Sequence, residues 1–279
     1  MQVMGKCRHL LPLLLLCTTL PPAWAGDWSG EAGLGYDSNV TNAREGSPER
    51  DDRFAQLSLG IDRPWRLGPA STLLWRPQLE AQQFDEHQGL SNLQAGLQGR
   101  WLYRPAAGFH VPVLELLAGA SWWEFDSGLR DGAQYRVGLF ATGQLSTRIS
   151  LRAGGQVQQR EADAAVFDSH QTSLGTDLDW ELMPSALLYL GYRHIDGDFT
   201  STAPAAPLAA GITQADDVFD GETSWRFSGR AHSGTLGFNY TLSPALALDV
   251  QARRTRTRAD SGVRYERDQF LASLLWRWQ

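Results

Sequence analysis

Cysteine is almost absent: Cys7 and Cys17 are the only two in 279 residues, and both lie in the first 25. Beyond residue 25 there is no disulfide framework, no thiolate metal site and no thiol nucleophile. Lysine is scarcer still. Lys6 is the only one, so the positive charge of the remaining chain is entirely arginine. Basic residues number 25 against 31 acidic ones, and none form a cluster, which removes the electrostatic footprint of a nucleic-acid binder. Long apolar runs are missing too: none after residue 25 reaches the roughly 20 residues that a spanning helix needs. A soluble exported enzyme of this size would show some helices with a 3.6-residue period, and no segment here does so convincingly.

The first 25 residues have the layout of a secretory signal. Lys6 and Arg8 form a positive start, Leu10 to Leu16 an apolar centre, and Ala23-Trp24-Ala25 a small-x-small cleavage site. A lipoprotein cysteine at Cys17 fits less well, because Leu16 stands where that processing wants a small residue. The expected organisation is a signal peptide at 1–25 followed by one domain at 26–279.

What the domain has in abundance is period two. In "SGTLGFNYTL", Leu236, Phe238, Tyr240 and Leu242 alternate with Thr235, Gly237, Asn239 and Thr241. In "ALALDVQARR", Leu246, Leu248, Val250 and Ala252 oppose Asp249, Gln251 and Arg253. Each pattern describes a strand with one apolar and one strongly polar face. Twelve such strands are expected at 27–37, 53–65, 71–84, 91–104, 110–124, 133–146, 149–160, 171–183, 186–196, 231–242, 245–257 and 265–278. Most are long enough to cross a bilayer when tilted, which takes about 9–11 residues.

The connections alternate in kind. Short turns such as "RPAAG", "MPSA" and "SPA" follow every second strand, and longer polar loops lie between them, the longest at 197–230. Short turns at one rim and long loops at the other are the layout of outer-membrane barrels. Trp28, Trp65, Trp75, Trp101, Tyr103, Trp180, Trp276 and Trp278 fall near strand ends on the apolar face, where amphipathic rings suit the headgroup boundary. The expectation is therefore an all-β, transmembrane, antiparallel up-and-down β-barrel of about 12 strands in the cell outer membrane.

If the apolar face meets lipid, the polar face lines a lumen. Its charged residues are Glu31, Asp62, Arg76, Glu80, Arg100, Glu115, Arg136, Arg152, Arg160, Asp177, Asp179, Glu181, Arg193, Asp249 and Arg253. Arginine at the bilayer midplane would cost about 2–4 kcal/mol, so these side chains belong inside. They admit two roles: a transverse field that orients a polar or anionic solute, or salt bridges that fill and stiffen a narrow barrel. Arg254 and Arg256, on the opposite face near the outer strand end, admit two readings: contact with lipopolysaccharide phosphates, or a plain solvated strand end.

The outer rim offers little for catalysis. His170, His194, Asp196 and Asp198 converge if their strands pair, but no matching motif accompanies them. His232 and Ser233 point to opposite faces of a strand and do not pair. Asp216, Asp217, Asp220 and Glu222 form an acidic stretch without EF-hand spacing. No enzyme activity, metal or cofactor is expected.

"GEAGLGYDSNVTNA" opens the first strand, and its Gly33, Gly35, Tyr36, Asp37, Ser38, Asn39 and Val40 resemble the start of the barrel in surface lipoprotein assembly modifiers and in related exopolysaccharide-associated barrels. The modifiers' periplasmic repeat domain is not expected here, since the first strand follows the signal segment almost directly. The final "QFLASLLWRWQ" resembles the aromatic-rich last strand that the barrel-assembly machinery reads. The leading expectation is a narrow channel or export conduit for a small polar or anionic solute. The alternatives are a non-enzymatic accessory engaging a lipoprotein or polysaccharide partner and, third, an outer-rim hydrolase. The expected surroundings are outer-membrane lipid and lipopolysaccharide, with no nucleic acid.

Overall fold

The computed structural model describes residues 27–207 and 210–278; the expected signal segment lies outside them. Its strands are β1 (Asp27–Asp37), β2 (Asp52–Gly68), β3 (Ser71–Phe84), β4 (Asn92–Tyr103), β5 (Val113–Phe125), β6 (Gly132–Ser146) and β7 (Ile149–Ala162). They continue as β8 (Ser169–Met183), β9 (Ala186–Ala203), β10 (Ile212–Ala215), β11 (Thr223–Ser243), β12 (Leu246–Ala259) and β13 (Arg264–Trp278). Each pairs antiparallel with its sequence neighbour, with one exception. β9 skips β10 and pairs with β11, while β13 pairs with β1. Those two pairings close a 12-stranded barrel and leave β10 as a short flap hydrogen-bonded to β11 alone.

Alternation dictates the faces. Leu190, Leu236, Ala252, Phe270 and Tyr36 form one register row across five strands, all outward. Burial is inverted relative to a water-soluble protein: outward Leu34 is 72 % exposed and inward Glu115 only 3 %. An apolar belt of this size in water would be an aggregation surface, whereas in a bilayer it is solvated by acyl chains. Tryptophans gather at the short-turn end, where Trp28 stacks on Trp278 and Trp278 on Trp276. Pro64 lacks a ladder N–H, and it sits beyond Asp62, where pairing of β2 to β1 stops and no donor is needed.

The expected long loop at 197–230 is shorter than its composition suggests. β9 runs on to Ala203 and β11 starts at Thr223, pairing through Thr202↔Ser224 and Thr200↔Arg226. Alternation of apolar and polar residues fades there because the hairpin has left the bilayer and needs no lipid face. Strand signals that depend on that contrast stop early for the same reason.

The apolar core also sits away from the barrel centre. Ala43, Phe84, Val166, Phe219 and Trp225 are all buried, and all lie at the loop rim. The loops fold inward and pack on one another, so the mouth carries the small dry core that the lumen lacks.

Candidate functional site

Loop closure begins at the opening motif. Asp37 accepts two hydrogen bonds from Arg267 Nε, at 2.9 and 2.8 Å, and one from Gln269 at 2.8 Å, tying β1 to β13 inside the barrel. Fully buried Asn39 then organises the turn: its amide donates to the carbonyls of Ala43 and Glu266 at 3.0 and 2.9 Å. Its side-chain oxygen accepts from Ala43 N–H at 2.7 Å. The loop that follows crosses the mouth and docks on the far wall, where Asn42 donates to Thr200 O and Thr202 N–H donates to Thr41 O, both at 2.9 Å.

The β10–β11 hairpin completes the cap. Its turn, Asp217–Phe219, drops Phe219 into the mouth, 5.1 Å from the His87 ring, with the Arg50 and Arg130 guanidinium groups 5.7 and 5.9 Å away. Arg130 forms a bidentate pair with Asp216 at 3.0 and 2.5 Å and lies 4.1 Å over Phe167. Asp216 also accepts from Ser224 at 2.7 Å and Val218 N–H at 3.1 Å. Burial alone would raise its pKa, but bonds from Arg130, the Arg130 charge, and the Ser224 and Val218 bonds outweigh that and hold it below the usual carboxylate value. Asp52 behaves alike at the rim. Burial raises it, and N–H bonds from His87, Glu86 and Arg53, with the His87 ring at 3.0 Å, lower it further than that. Asp217 bonds Ser127 at 2.6 Å, and Arg50 pairs with Asp220 and Glu222. The acidic stretch Asp216 to Glu222 is thus spent on the cap, and no cluster of metal ligands occurs among the described residues.

Beneath the cap lies a cavity of about 760 Å³, bounded mainly by β8, β9 and β11–β13. Arg160, Arg193, Arg253 and Arg267 project into it, with Asp177, Asp179 and Tyr189 deeper along the same wall. Register explains the room. Arg193 stands beside Gly175 and Ser233, and Arg253 beside Thr235, so small residues flank both long side chains.

The charges that strand alternation turns inward are in two different states. Near the short-turn end they are paired: Arg100 holds Glu115 through two bonds of 3.1 and 2.9 Å, and Arg152 reaches Glu115 at 3.2 Å and Asp177 at 3.6 Å while covering Phe140. Arg76 contacts Asp62 at 3.7 Å, Glu31 accepts from Gln56 and Ser273, and Arg136 donates to Gln98. Glu80 accepts from Gln78, Asp179 from Ser150, and Asp249 from Tyr189 and Asn239, while Glu181 sits at the short-turn rim.

Arg193 and Arg253 differ. Like Arg136, neither has a carboxylate within ion-pair distance among the described residues, but where Arg136 has Gln98 Oε1 at 2.7 Å, Arg253 has only Thr235 Oγ1 at 3.4 Å. Arg160 is held between Trp123 and Phe125 and donates to Arg130 O at 2.7 Å, leaving its Nε buried and without a partner.

Sequence reasoning missed Arg267 and Tyr189 as lining residues, and Arg130, Asp216 and Phe219 as parts of the cap. Strand parity finds the first two: Arg267 shares a face with Gln269, and Tyr189 with Gly191 and Arg193. The other three belong to loops, where no period marks a face. The His and Asp residues of the outer rim form no single cluster: Asp196 pairs with Arg230 at 3.0 Å, Asp198 accepts from Ser228 at 2.9 Å and from His170 N–H at 3.3 Å, and the His194 ring lies tilted 4.9 Å from that of His232 on the outward face.

No protein-family profile matches the chain, and no curated protein sequence matches it either. The likeness to lipoprotein assembly modifiers therefore rests on the Gly33 to Val40 residues alone. Solved structures do match. The COG4313 outer membrane channel from Pseudomonas putida F1 superposes with a TM-score of 0.60 at 12 % identity, over 93 % of this chain and 97 % of that one. The NanC porin gives a TM-score of 0.51 at 8 % identity, over 88 % and 98 %. At such identities the match concerns the fold, a closed outer-membrane-type barrel.

Proposed function

We propose that this chain is an outer-membrane channel for a small anionic solute, and that it carries no catalytic activity. Its short turns face the periplasm and its capped mouth faces outward, as in other barrels of this layout. The observation that carries the reading is the pair Arg193 and Arg253, uncompensated by carboxylates in a cavity of about 760 Å³. Both guanidinium groups are exposed to that cavity, whereas a purely structural lumen would neutralise them as the Glu115 ladder does. Leaving two guanidinium groups free favours an anion that supplies the missing charge, with planar forks suited to carboxylate or phosphate. Asp177 and Asp179 below them repel that anion, so it is held briefly and released onward. Conduction needs that balance of attraction and escape.

The two channels among the matched structures are consistent with this reading at the level of fold. The test is conductance in planar bilayers. The wild-type barrel should show discrete openings that favour anions, and Arg193→Glu with Arg253→Glu should reverse the preference. Silent bilayers from demonstrably inserted protein, or a preference untouched by the double variant, would sink the proposal.

A further inference from the structure

Above the apolar belt, the outward face of β11–β13 changes character abruptly. The row Leu236, Ala252, Phe270 is the last apolar one. The next outward rows toward the loops are Arg254 with Asp268, then His232, Arg256 and Glu266, then Arg230, Arg258 and Arg264. The first two rows are partly neutralised: Arg254 bonds Glu266 at 2.6 Å, and Arg256 bonds Glu266 at 2.9 Å. The third is not. Arg230, Arg258 and Arg264 are direct register neighbours on three adjacent strands, all exposed, and among the described residues only Arg230 has a carboxylate partner, Asp196 on β9.

Like charges directly opposite on neighbouring strands destabilise a sheet. Three in a row at one height are explained if a negative group from outside the chain sits over them. The row lies three pleats above the last apolar residues, about 20 Å along the strands and less along the membrane normal because the strands tilt. Headgroup phosphates of the outer leaflet occupy that level. Arginine is suited to them because its planar fork gives two parallel charge-assisted bonds to phosphate oxygens.

We propose that Arg230, Arg258 and Arg264, backed by Arg254 and Arg256, form a binding site for the phosphates of lipopolysaccharide. The lipid's acyl chains lie against Leu236, Phe238, Val250 and Phe270, below the two intervening rows. The site is separate from the lumen and does not depend on what passes through it, although it rests on the outer-membrane placement proposed above. Charge at the headgroup level with apolar contact below it selects a phosphorylated, acylated ligand over free phosphate.

The test uses the folded barrel in phosphatidylcholine vesicles, titrated with bisphosphorylated lipid A and with its phosphate-free counterpart. Wild type should prefer the bisphosphorylated form by about tenfold, a difference of about 1.4 kcal/mol. A triple variant, Arg230→Gln, Arg258→Gln and Arg264→Gln, should lose that preference, and the corresponding triple lysine variant should recover part of it. Retained preference in the glutamine variant overturns the site, and so does equal binding of the phosphate-free lipid. Displacement by equimolar inorganic phosphate would assign the row to a soluble anion and overturn it as well. Protease protection of the vesicle-borne barrel is read in parallel. Failure to insert sinks the placement and the site together, whereas insertion without phosphate preference sinks the site alone.

Discussion

Arg130 in the mouth and Arg253 below it face the same cavity but keep different company. Arg130 is bidentate with Asp216, covered by Phe167 and packed near Phe219. Arg253 meets a single hydroxyl at 3.4 Å, and its nearest charged neighbours include Arg193 and Arg267, of its own sign. The mouth is built as a protein interior, with apolar side chains excluding water and Arg130 answered by Asp216. The lumen wall has charge left over. The same side chain is a fastening in one place and, under the proposed function, an anion receptor in the other, and the difference lies in whether the chain supplies the counter-charge.

That contrast is broken most severely by Asp216→Ala. It strands Arg130 in a buried site, where losing one partner of a buried pair costs about 3–5 kcal/mol. The barrel should stay folded while the 212–226 hairpin loses hydrogen-exchange protection and conductance rises. Unchanged protection there would show that the latch is not what holds the cap.

Acid probes the same latch. The folded pKa of Asp216 is depressed, so its contribution is fully present above the unfolded value, about 3.9, and is lost as pH falls through the lower folded value. Conductance should therefore be flat from neutral pH down to about 4 and rise only below it. Opening at pH 5 to 6 would contradict this assignment.

Phe219→Ala comes next, removing the largest fully buried side chain of the cap at about 3 kcal/mol. It leaves the Arg130–Asp216 pair in place, so protection should fall less than in Asp216→Ala. Equal losses would mean that packing and the ion pair act as one unit.

The smallest effect separates the two lumen zones. Arg253→Gln should lower anion preference severalfold, an effect of about 1 kcal/mol, with little change in thermal stability. Arg100→Gln should do the opposite, costing stability with little change in selectivity, because Glu115 keeps Arg152. If the two variants gave the same permeability ratio, the distinction between paired and free arginines would collapse.

Much of the barrel wall is legible in the sequence. Parity alone places Glu31, Arg76, Arg100 and Arg253 on the inner face, because a strand has only two faces and lipid claims one of them. Tyr36 and Asp37 show the limit of that reading. Their alternation marks the strand end, yet nothing local says that Asp37 reaches Arg267, 230 residues away. Parity equally fails to separate Arg193 from Arg152, since both are inward arginines and only the register reveals which has a carboxylate beside it. The stretch 197–230 resembles a loop in composition because its strand residues stand clear of the bilayer, where no apolar face is required.

By itself the sequence determined the barrel, its strand count to within the flap, and which side chains face lipid. Period two and the short-turn, long-loop alternation are local properties, and lipid enforces them on every strand. Tertiary structure alone decided how the mouth closes and which charges are left unanswered. Those outcomes depend on contacts between residues remote in sequence, such as Arg130 with Asp216 and Asp37 with Arg267, for which no local pattern exists.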